Sequence, residues 1–268
     1  MAQEDTVFSG SIPHLYDRYM GPAFMAPYAR DLADRVSSLR NGTLLETAAG
    51  TGIVTEALAQ ALPGVTIVAT DLNQPMLDHA ATKPALSRVQ FRQADAMKLP
   101  FDRESFDAVV CQFGAMFFSD RPAAFREVFR VLRPGGRFLF NVWERVADNP
   151  VVVAALEGLS RRYPDHGPWF LERTPHGYRD PAIIRSDLAA GGFPDCRIET
   201  VALKGRAASA KALATGFCQG TPMRAELEAA DPTGLEAATA AAAEAIAERF
   251  GEGAFETELC ALVVETAK

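Results

Sequence analysis

Two hydrophobic periodicities alternate along the first 143 residues. Short continuous apolar runs predict buried strands, whereas apolar residues three and four positions apart predict amphipathic helices. The predicted strands lie directly before Gly50 and at residues 65–70, 89–94, 106–111 and 137–142. The predicted helices lie at residues 27–39, 54–61, 122–132 and in a short segment capped by Asn73. Strands and helices that alternate at such short intervals predict an α/β fold with a doubly wound, mostly parallel sheet.

The pattern changes in the last 120 residues. Asp180 is placed to cap the start of a further helix, and alternation at residues 197–203 and 259–265 predicts two more strands. The alanine-rich segment between these strands predicts a helix to about residue 250, with Thr233 and Glu236 at the spacing of a capping box. No repeat or linker interrupts the chain, so one elaborated domain is expected over residues 1–268.

Composition narrows the class of protein. The chain carries a formal net charge of -7, which argues against a nucleic-acid partner because phosphate binding needs clustered Lys and Arg. No apolar run approaches the ~18 residues of a membrane span, and the acidic start lacks the features of a signal peptide. The 4 cysteines include no CxxC pair, so neither a metal site nor a disulfide framework is expected. We expect a cytoplasmic protein.

The most informative stretch is Glu-Thr-Ala-Ala-Gly-Thr-Gly at residues 46–52. An apolar run precedes it, and a second apolar run ends at Asp71, nineteen residues after Gly52. A strand, a glycine turn, a helix and a second strand that ends in an acid are typical of a nucleotide-like cofactor site. A dinucleotide fingerprint would have a third glycine where this chain has Thr55. A tight turn that binds nothing is the alternative interpretation.

Two further acids favour a ligand. Glu46 interrupts an apolar strand, where a carboxyl group is costly unless it meets a cation or hydrogen-bond donors. Asp95 ends the third predicted strand, as Asp71 ends the second. Because the carboxyl ends of parallel strands meet at one edge of the sheet, the three acids outline a crevice at the switch point of the sheet.

Five segments in this order resemble the motifs of class I S-adenosylmethionine-dependent methyltransferases, of the group that includes small-molecule and quinone-precursor enzymes. They are residues 46–52, 71–73, 95–101, 106–111 and 132–136. The resemblance covers roughly residues 40–143. It implies a seven-stranded sheet that ends in a C-terminal antiparallel hairpin, with an N-terminal helical lid (1–41), a cofactor-binding core (42–144) and substrate-side helices with the last two strands (145–268).

The resemblance also implies how S-adenosylmethionine would bind. The backbone at Ala48 and Gly50 would pack on its methionine part, Glu46 would orient the turn and the ammonium group, Asp71 would hold the ribose and Asp95 the adenine amine. The other implied cofactor contacts are Thr51, Gly52, Leu72, Met76, Ala96, Met97, Gln112 and Phe113, and Tyr16 and Tyr19 from the lid. A terminal helix that packs its aromatic residues on the core is the alternative for the two tyrosines.

The substrate side is marked more weakly. Methyl transfer requires alignment and exclusion of water, and a base only where the nucleophile must lose a proton, so no catalytic residue is assigned. The candidates for the substrate pocket are His14, Met116, Phe117, Trp143, His176 and Gln219. The residues after the fourth strand lack the Asn/Asp-Pro-Pro-Tyr motif that grips an amide or a base nitrogen. A small, apolar or aromatic acceptor is therefore expected, methylated on oxygen, nitrogen or carbon.

Three functions are consistent with this sequence. The leading hypothesis is a methyltransferase that acts on a small molecule, as a monomer or homodimer. An NAD-dependent oxidoreductase is the second, and the missing third glycine and the two extra acids count against it. A noncatalytic protein that binds S-adenosylmethionine is the third, because the cofactor motifs do not exclude it.

Overall fold

One seven-stranded sheet organises the chain in the computed structural model, which describes residues 3–268. The strands are β1 (Gly42–Glu46), β2 (Val65–Asp71), β3 (Gln90–Gln93), β4 (Phe106–Gln112), β5 (Leu132–Trp143), β6 (Arg197–Ala207) and β7 (Phe255–Ala267). Their order is β3-β2-β1-β4-β5-β7-β6. Strands β1 to β5 are parallel, and β7 runs antiparallel to both β5 and β6. The predicted fold is therefore confirmed.

The strand order reverses next to β1. The chain leaves β1 for β2 on one side and returns to β4 on the other, so the carboxyl ends of β1 and β4 form the switch point at which open α/β sheets bind ligands.

Eleven α-helices accompany the strands in the described part of the chain. They are α1 (Ile12–Leu15), α2 (Ala26–Arg35), α3 (Ile53–Ala61), α4 (Gln74–Ala81), α5 (Arg121–Val131), α6 (Pro150–Arg162), α7 (Phe170–Arg173), α8 (Pro181–Ala190), α9 (Ala210–Gln219), α10 (Met223–Ala230) and α11 (Leu235–Phe250).

The N-terminal segment is more helical than the spacing predicts. A π-helical stretch, Tyr16–Met25, links α1 to α2, and α2 ends at Arg35 and not near residue 39. Buried Tyr28 joins α2 to the C-terminal hairpin, since its hydroxyl lies 2.8 Å from the Val201 carbonyl oxygen and 2.9 Å from that of Leu259. The segment thus packs on the sheet as one unit. Of the predicted lid, residues 1 and 2 lie outside the described part.

Of the predicted helix caps, one is confirmed only in position and one is wrong. Asn73 occupies the N-cap position of α4, as predicted, but its side chain accepts from the backbone N–H of Phe8 at 3.2 Å and makes no cap hydrogen bond. Helix α11 starts after Gly234, and Thr233 instead donates its hydroxyl to the Asp231 carboxylate at 3.2 Å. In both cases a tertiary or turn contact uses the side chain that local spacing had assigned to the helix end. The predicted cap at Asp180 is confirmed.

Candidate functional site

A cavity of about 400 Å³ opens at the carboxyl ends of β1, β2 and β4. Eleven of the predicted cofactor contacts line it. They are Tyr16, Ala48, Gly50, Asp71, Leu72, Met76, Asp95, Ala96, Met97, Gln112 and Phe113. The cavity has the size and mixed lining that small-molecule sites in proteins have. We call it the cofactor cavity.

The glycine turn reaches this cavity in a left-handed backbone conformation. The φ angles are +54° at Ala48, +56° at Gly50 and +82° at Gly52. A Cβ atom at Gly52 would lie 2.8 Å from a Leu86 methyl carbon and 3.0 Å from the Ala80 Cβ atom, so α3 and α4 can pack this closely only around glycine. The turn therefore brings main chain, without side-chain bulk, to the cavity.

Ala48 holds a positive φ without being glycine, which predicts a stabilising substitution. Ala48→Gly should raise the free energy of unfolding by about 1 kcal/mol, because the left-handed conformation strains any residue with a Cβ atom. Urea unfolding measures this. Ala59→Gly in the interior of α3 is the control and should lower stability by about 1 kcal/mol. A loss of stability in both variants would contradict the strain at Ala48.

Asp71 lines the cofactor cavity with its carboxylate held by main chain. One oxygen accepts from the N–H of Gly50 at 2.8 Å and the other from the N–H of Asn73 at 2.8 Å. Burial raises the pKa of Asp71 despite these hydrogen bonds. Each carboxylate oxygen can accept more than one hydrogen bond, so the fixed side chain can also receive two neighbouring hydroxyls.

Asp95 lines the same cavity from the loop after β3. It is half-buried, and one carboxylate oxygen accepts from the N–H of Met97 at 2.8 Å. This turn places Ala96 and Met97 along the cavity wall. The structure thus brings two of the three predicted acids to one cavity, with an apolar rim beside the second.

Glu46 lies behind the cavity and not in its lining. Its side chain is 1% exposed, and among residues 3–268 its Oε2 atom has no hydrogen-bond partner. Burial raises the pKa of Glu46 to about 8, and the charge of Asp71 adds to the shift. A cation bound at the neighbouring turn would stabilise the ionised form of this buried carboxyl group.

Gln112 supplies a second unsatisfied acceptor. Its amide nitrogen donates to the Met25 carbonyl oxygen at 3.1 Å, which turns its Oε1 atom away from that contact. Oε1 is buried and has no partner within the described chain, and the residue lines the cofactor cavity. An ammonium group in the cavity can donate to this oxygen, and the buried Glu46 carboxyl group lies behind the lining, so the acceptors present fit the methionine end of S-adenosylmethionine.

Four predicted cofactor contacts do not line the cavity: Tyr19, Glu46, Thr51 and Gly52. Thr51 is buried within the turn. Tyr19 points to a separate surface groove beside Arg18 and Arg206, since the π-helical stretch turns it away from Tyr16. Only one of the two lid tyrosines therefore reaches the cofactor cavity.

A second, smaller cavity of about 60 Å³ lies on the far side of Phe113. We call it the aromatic chamber. Predicted substrate residues Met116, Phe117, Trp143 and His176 line it. Its other walls are mostly apolar and come from the N-terminal segment, α6, α7 and α9. The residues that border both cavities are Phe8, Tyr16, Phe113 and Phe117.

Two predicted substrate residues lie elsewhere. His14 is exposed, with its ring 6.2 Å from that of His79. Gln219 donates to Thr239 at 3.1 Å and to Glu236 at 3.3 Å, so it joins α9 to α11. Conversely, Phe8 borders both cavities although no periodicity surrounds it in the sequence. Long-range packing alone brings it there.

The N-terminal segment closes the cofactor cavity through contacts to α4 and the loop after it. Asp17 lies 2.6 Å from the Lys83 ammonium group and 3.4 Å from His79. Although burial acts to raise it, the hydrogen bond from Lys83 holds the pKa of Asp17 below its usual value. These contacts thus fasten the segment that carries Tyr16 and Phe8 beside the cofactor cavity.

Two findings bear on other function classes. Within residues 3–268, no three His, Cys, Asp or Glu side chains are grouped so that they could hold a metal ion. No helix of that same part is both long and apolar enough to cross a membrane.

Similarity to known methyltransferases agrees with a site of this kind. A family model described as "Methyltransferase domain" matches residues 45–140. A demethylmenaquinone methyltransferase of Deinococcus radiodurans is 40% identical over 98 residues, which are 36% of this chain and 41% of the relative. A ubiquinone/menaquinone biosynthesis C-methyltransferase of Syntrophotalea carbinolica is 38% identical over 127 residues, 47% of this chain and 52% of the relative. The chain thus spans about half the length of these relatives.

A solved structure shares the fold over nearly the whole chain. It is a phosphoethanolamine N-methyltransferase of Haemonchus contortus in complex with S-adenosyl-L-methionine, with a TM-score of 0.60 and 16% identity. The similarity covers 96% of this chain and 56% of that protein. This similarity concerns the fold of the chain.

Proposed function

We propose that this chain, which belongs to the class I S-adenosylmethionine-dependent methyltransferases, transfers the methyl group of that cofactor to a small aromatic acceptor. One observation carries the proposal. The cofactor cavity with its two acids and the aromatic chamber lie on either side of Phe113, so that a donor and an acceptor can meet there. Membership of this family indicates the reaction, and the two cavities indicate where the methyl donor and the acceptor would bind.

The chain's own residues would divide the binding of the cofactor between them. Asp71 accepts from the ribose hydroxyls and Asp95 from the adenine amine, while Gln112 and Glu46 stabilise the ammonium group. The bound sulfonium supplies a methyl group that is already activated for displacement. What remains for the protein is to align the acceptor and to exclude water, which the buried aromatic side chains around Phe113 do.

The acceptor class follows from the aromatic chamber. Its walls are aromatic rings and thioethers, and Phe113 stacks on Trp143 with a centroid distance of 3.7 Å. Flat apolar rings pack well against such walls. The relative from Deinococcus radiodurans is named a demethylmenaquinone methyltransferase, and demethylmenaquinone contains a quinone nucleus. We propose a quinone-like or phenolic ring as the acceptor of this chain as well.

The contacts of Asp17 predict that the N-terminal segment retains the cofactor. Asp17→Asn removes the ion pair with Lys83, so release of S-adenosylhomocysteine should become about threefold to tenfold faster. The free energy of unfolding should change by less than about 1 kcal/mol. Stopped-flow release measures the rate, and Asp78→Asn on the exposed side of α4 is the control. Equal release rates in both variants would contradict a retaining lid.

Labelled methyl transfer tests the function itself. The wild-type protein is incubated with methyl-labelled S-adenosylmethionine and a set of phenols, hydroquinones and amines. We expect label on a hydroxylated aromatic ring and none on aliphatic amines. Tight binding of the cofactor without transfer to any compound would favour the noncatalytic alternative.

A further inference from the structure

The aromatic chamber holds one buried histidine whose role the cofactor does not explain. His176 is 4% exposed and lines the chamber, with its ring centroid 6.1 Å from that of Trp143. Trp143 in turn stacks on Phe113, which borders the cofactor cavity. His176 and Phe113 thus line the same chamber, and Phe113 also borders the cofactor cavity.

The hydrogen bonding of His176 determines which nitrogen is available. Its Nδ1 atom lies 2.5 Å from the Glu144 carbonyl oxygen, and a carbonyl can only accept, so Nδ1 carries the proton. Nε2 then carries a lone pair and can only accept a hydrogen bond. Burial lowers the pKa of His176 to about 4, with Arg179 adding to the shift, which keeps the ring neutral near pH 7.

The other polar groups of the chamber do not compete for this role. Thr221 donates its hydroxyl to the Phe217 carbonyl oxygen at 2.6 Å, and the indole of Trp143 can only donate. Tyr16 also borders the cofactor cavity, and burial together with the charge of Asp71 raises the pKa of its hydroxyl. Among the chamber-lining residues that the structure describes, none is Asp or Glu. A cationic amine would find no counter-charge there, whereas a neutral hydroxyl would find an acceptor.

Resting on the proposed methyl transfer, we infer that His176 is a catalytic residue: its Nε2 atom accepts a hydrogen bond from a hydroxyl group on the aromatic acceptor and takes that proton during the reaction. The acceptor's electron pair forms the bond to the methyl carbon, and the pair of the breaking methyl–sulfur bond stays on sulfur. His176 then passes the proton to water. Where the ring carbon beside the hydroxyl is methylated, His176 keeps the hydroxyl proton and returns it to the oxygen while the methylated carbon loses its own proton to water. One proton leaves the acceptor in either case.

A weak base suffices for this step. A phenol is a poor acid before reaction, with a pKa near that of tyrosine, about 10. As the bond to the methyl group forms, the acceptor becomes positively charged and its hydroxyl proton becomes strongly acidic, so transfer to a neutral imidazole turns favourable. The low basicity of buried His176 also means that it does not hold the proton after the step.

Two isosteric variants separate the roles of the two ring nitrogens. Asparagine at 176 can keep the donation to the Glu144 carbonyl oxygen but lacks Nε2, whereas glutamine places an amide near the Nε2 position. His166 lies in the same loop region, is exposed and lines neither cavity, so His166→Gln is the matched control. Binding of S-adenosylhomocysteine should stay within about twofold of wild type in all three variants.

The experiment compares 1,4-dihydroxynaphthalene with 1,4-dimethoxynaphthalene under anaerobic conditions. With S-adenosylhomocysteine saturating, calorimetry should show that wild type and His166→Gln bind the diol about tenfold more tightly than the ether. His176→Asn should lose this preference, and His176→Gln should keep part of it. In turnover with S-adenosylmethionine and the diol, kcat of His176→Asn should fall about 100-fold or more.

The outcomes separate this inference from the proposed function. Equal wild-type affinity for the two compounds, binding of neither, or a His176→Asn variant with unchanged preference and kcat would overturn the role of His176 while methyl transfer stands. A preference that depends on His176, without transfer of label to the bound diol, would support the hydroxyl contact and overturn the methyltransferase activity instead.

Discussion

Asp71→Ala should weaken the binding of S-adenosylmethionine about 5-fold to 150-fold, the equivalent of about 1–3 kcal/mol. The reason is that two ribose hydroxyls would lose a charged acceptor whose orientation the N–H groups of Gly50 and Asn73 hold in place. Isothermal titration calorimetry on folded protein measures the effect directly. Removal of the carboxylate also frees the Gly50 N–H, so some loss of order in the turn is expected with it.

The control for Asp71 is Asp78→Ala. Asp78 carries the same charge on nearby α4 but is exposed and lines neither cavity. Its variant should bind the cofactor as wild type does, which shows that the effect at Asp71 is local and does not arise from net charge. Unchanged affinity in Asp71→Ala would remove this residue from the site.

Glu46→Gln should stabilise the protein in the absence of the cofactor, and it should weaken cofactor binding. Because burial raises the pKa of Glu46 to about 8, the folded protein binds a proton there that the unfolded chain releases above about pH 4.5. Stability from this group is therefore complete below about pH 4.5 and is lost as the pH rises through about 8. Glutamine stays neutral, so the variant should be more stable by about 1–3 kcal/mol near pH 8 and about equal to wild type near pH 4.5.

The same group predicts a proton signal on binding. A cationic ammonium near Glu46 favours its ionised form, so at pH 7 the wild-type protein should release part of a proton when S-adenosylmethionine binds. Calorimetry in buffers with different ionisation enthalpies detects that release. Glu46→Gln should show none and should bind about tenfold more weakly. A wild-type binding enthalpy that is the same in all buffers would contradict the role of Glu46.

The sheet and the acids could be predicted because local sequence determines them. A strand that ends in a turn or an acid is recognised within a dozen residues, and parallel strands bring their carboxyl ends to one edge whatever lies between them. Asp71 and Asp95 line one cavity for that reason. Glu46 ends a strand at the same edge, but it is buried and does not line the cavity, and a strand pattern does not show how deeply a side chain is buried.

The lid and the chamber could be predicted only in part. Tyr16 and Tyr19 are three residues apart, yet a π-helical stretch has a different rise and twist from an α-helix, and it separates their directions. His14 and Gln219 are polar residues near motifs, but helix contacts that the sequence does not show place them away from the site. Phe8 reaches both cavities only through tertiary packing.

Competition calorimetry with S-adenosylmethionine, S-adenosylhomocysteine and NAD tests the central claim most directly, namely that the cavity at the ends of β1, β2 and β4 holds an adenosyl sulfonium. We expect one site per chain that binds the two sulfur compounds in competition, and no heat with NAD. Tight binding of NAD without a response to either sulfur compound would contradict the cofactor, and with it the proposed reaction.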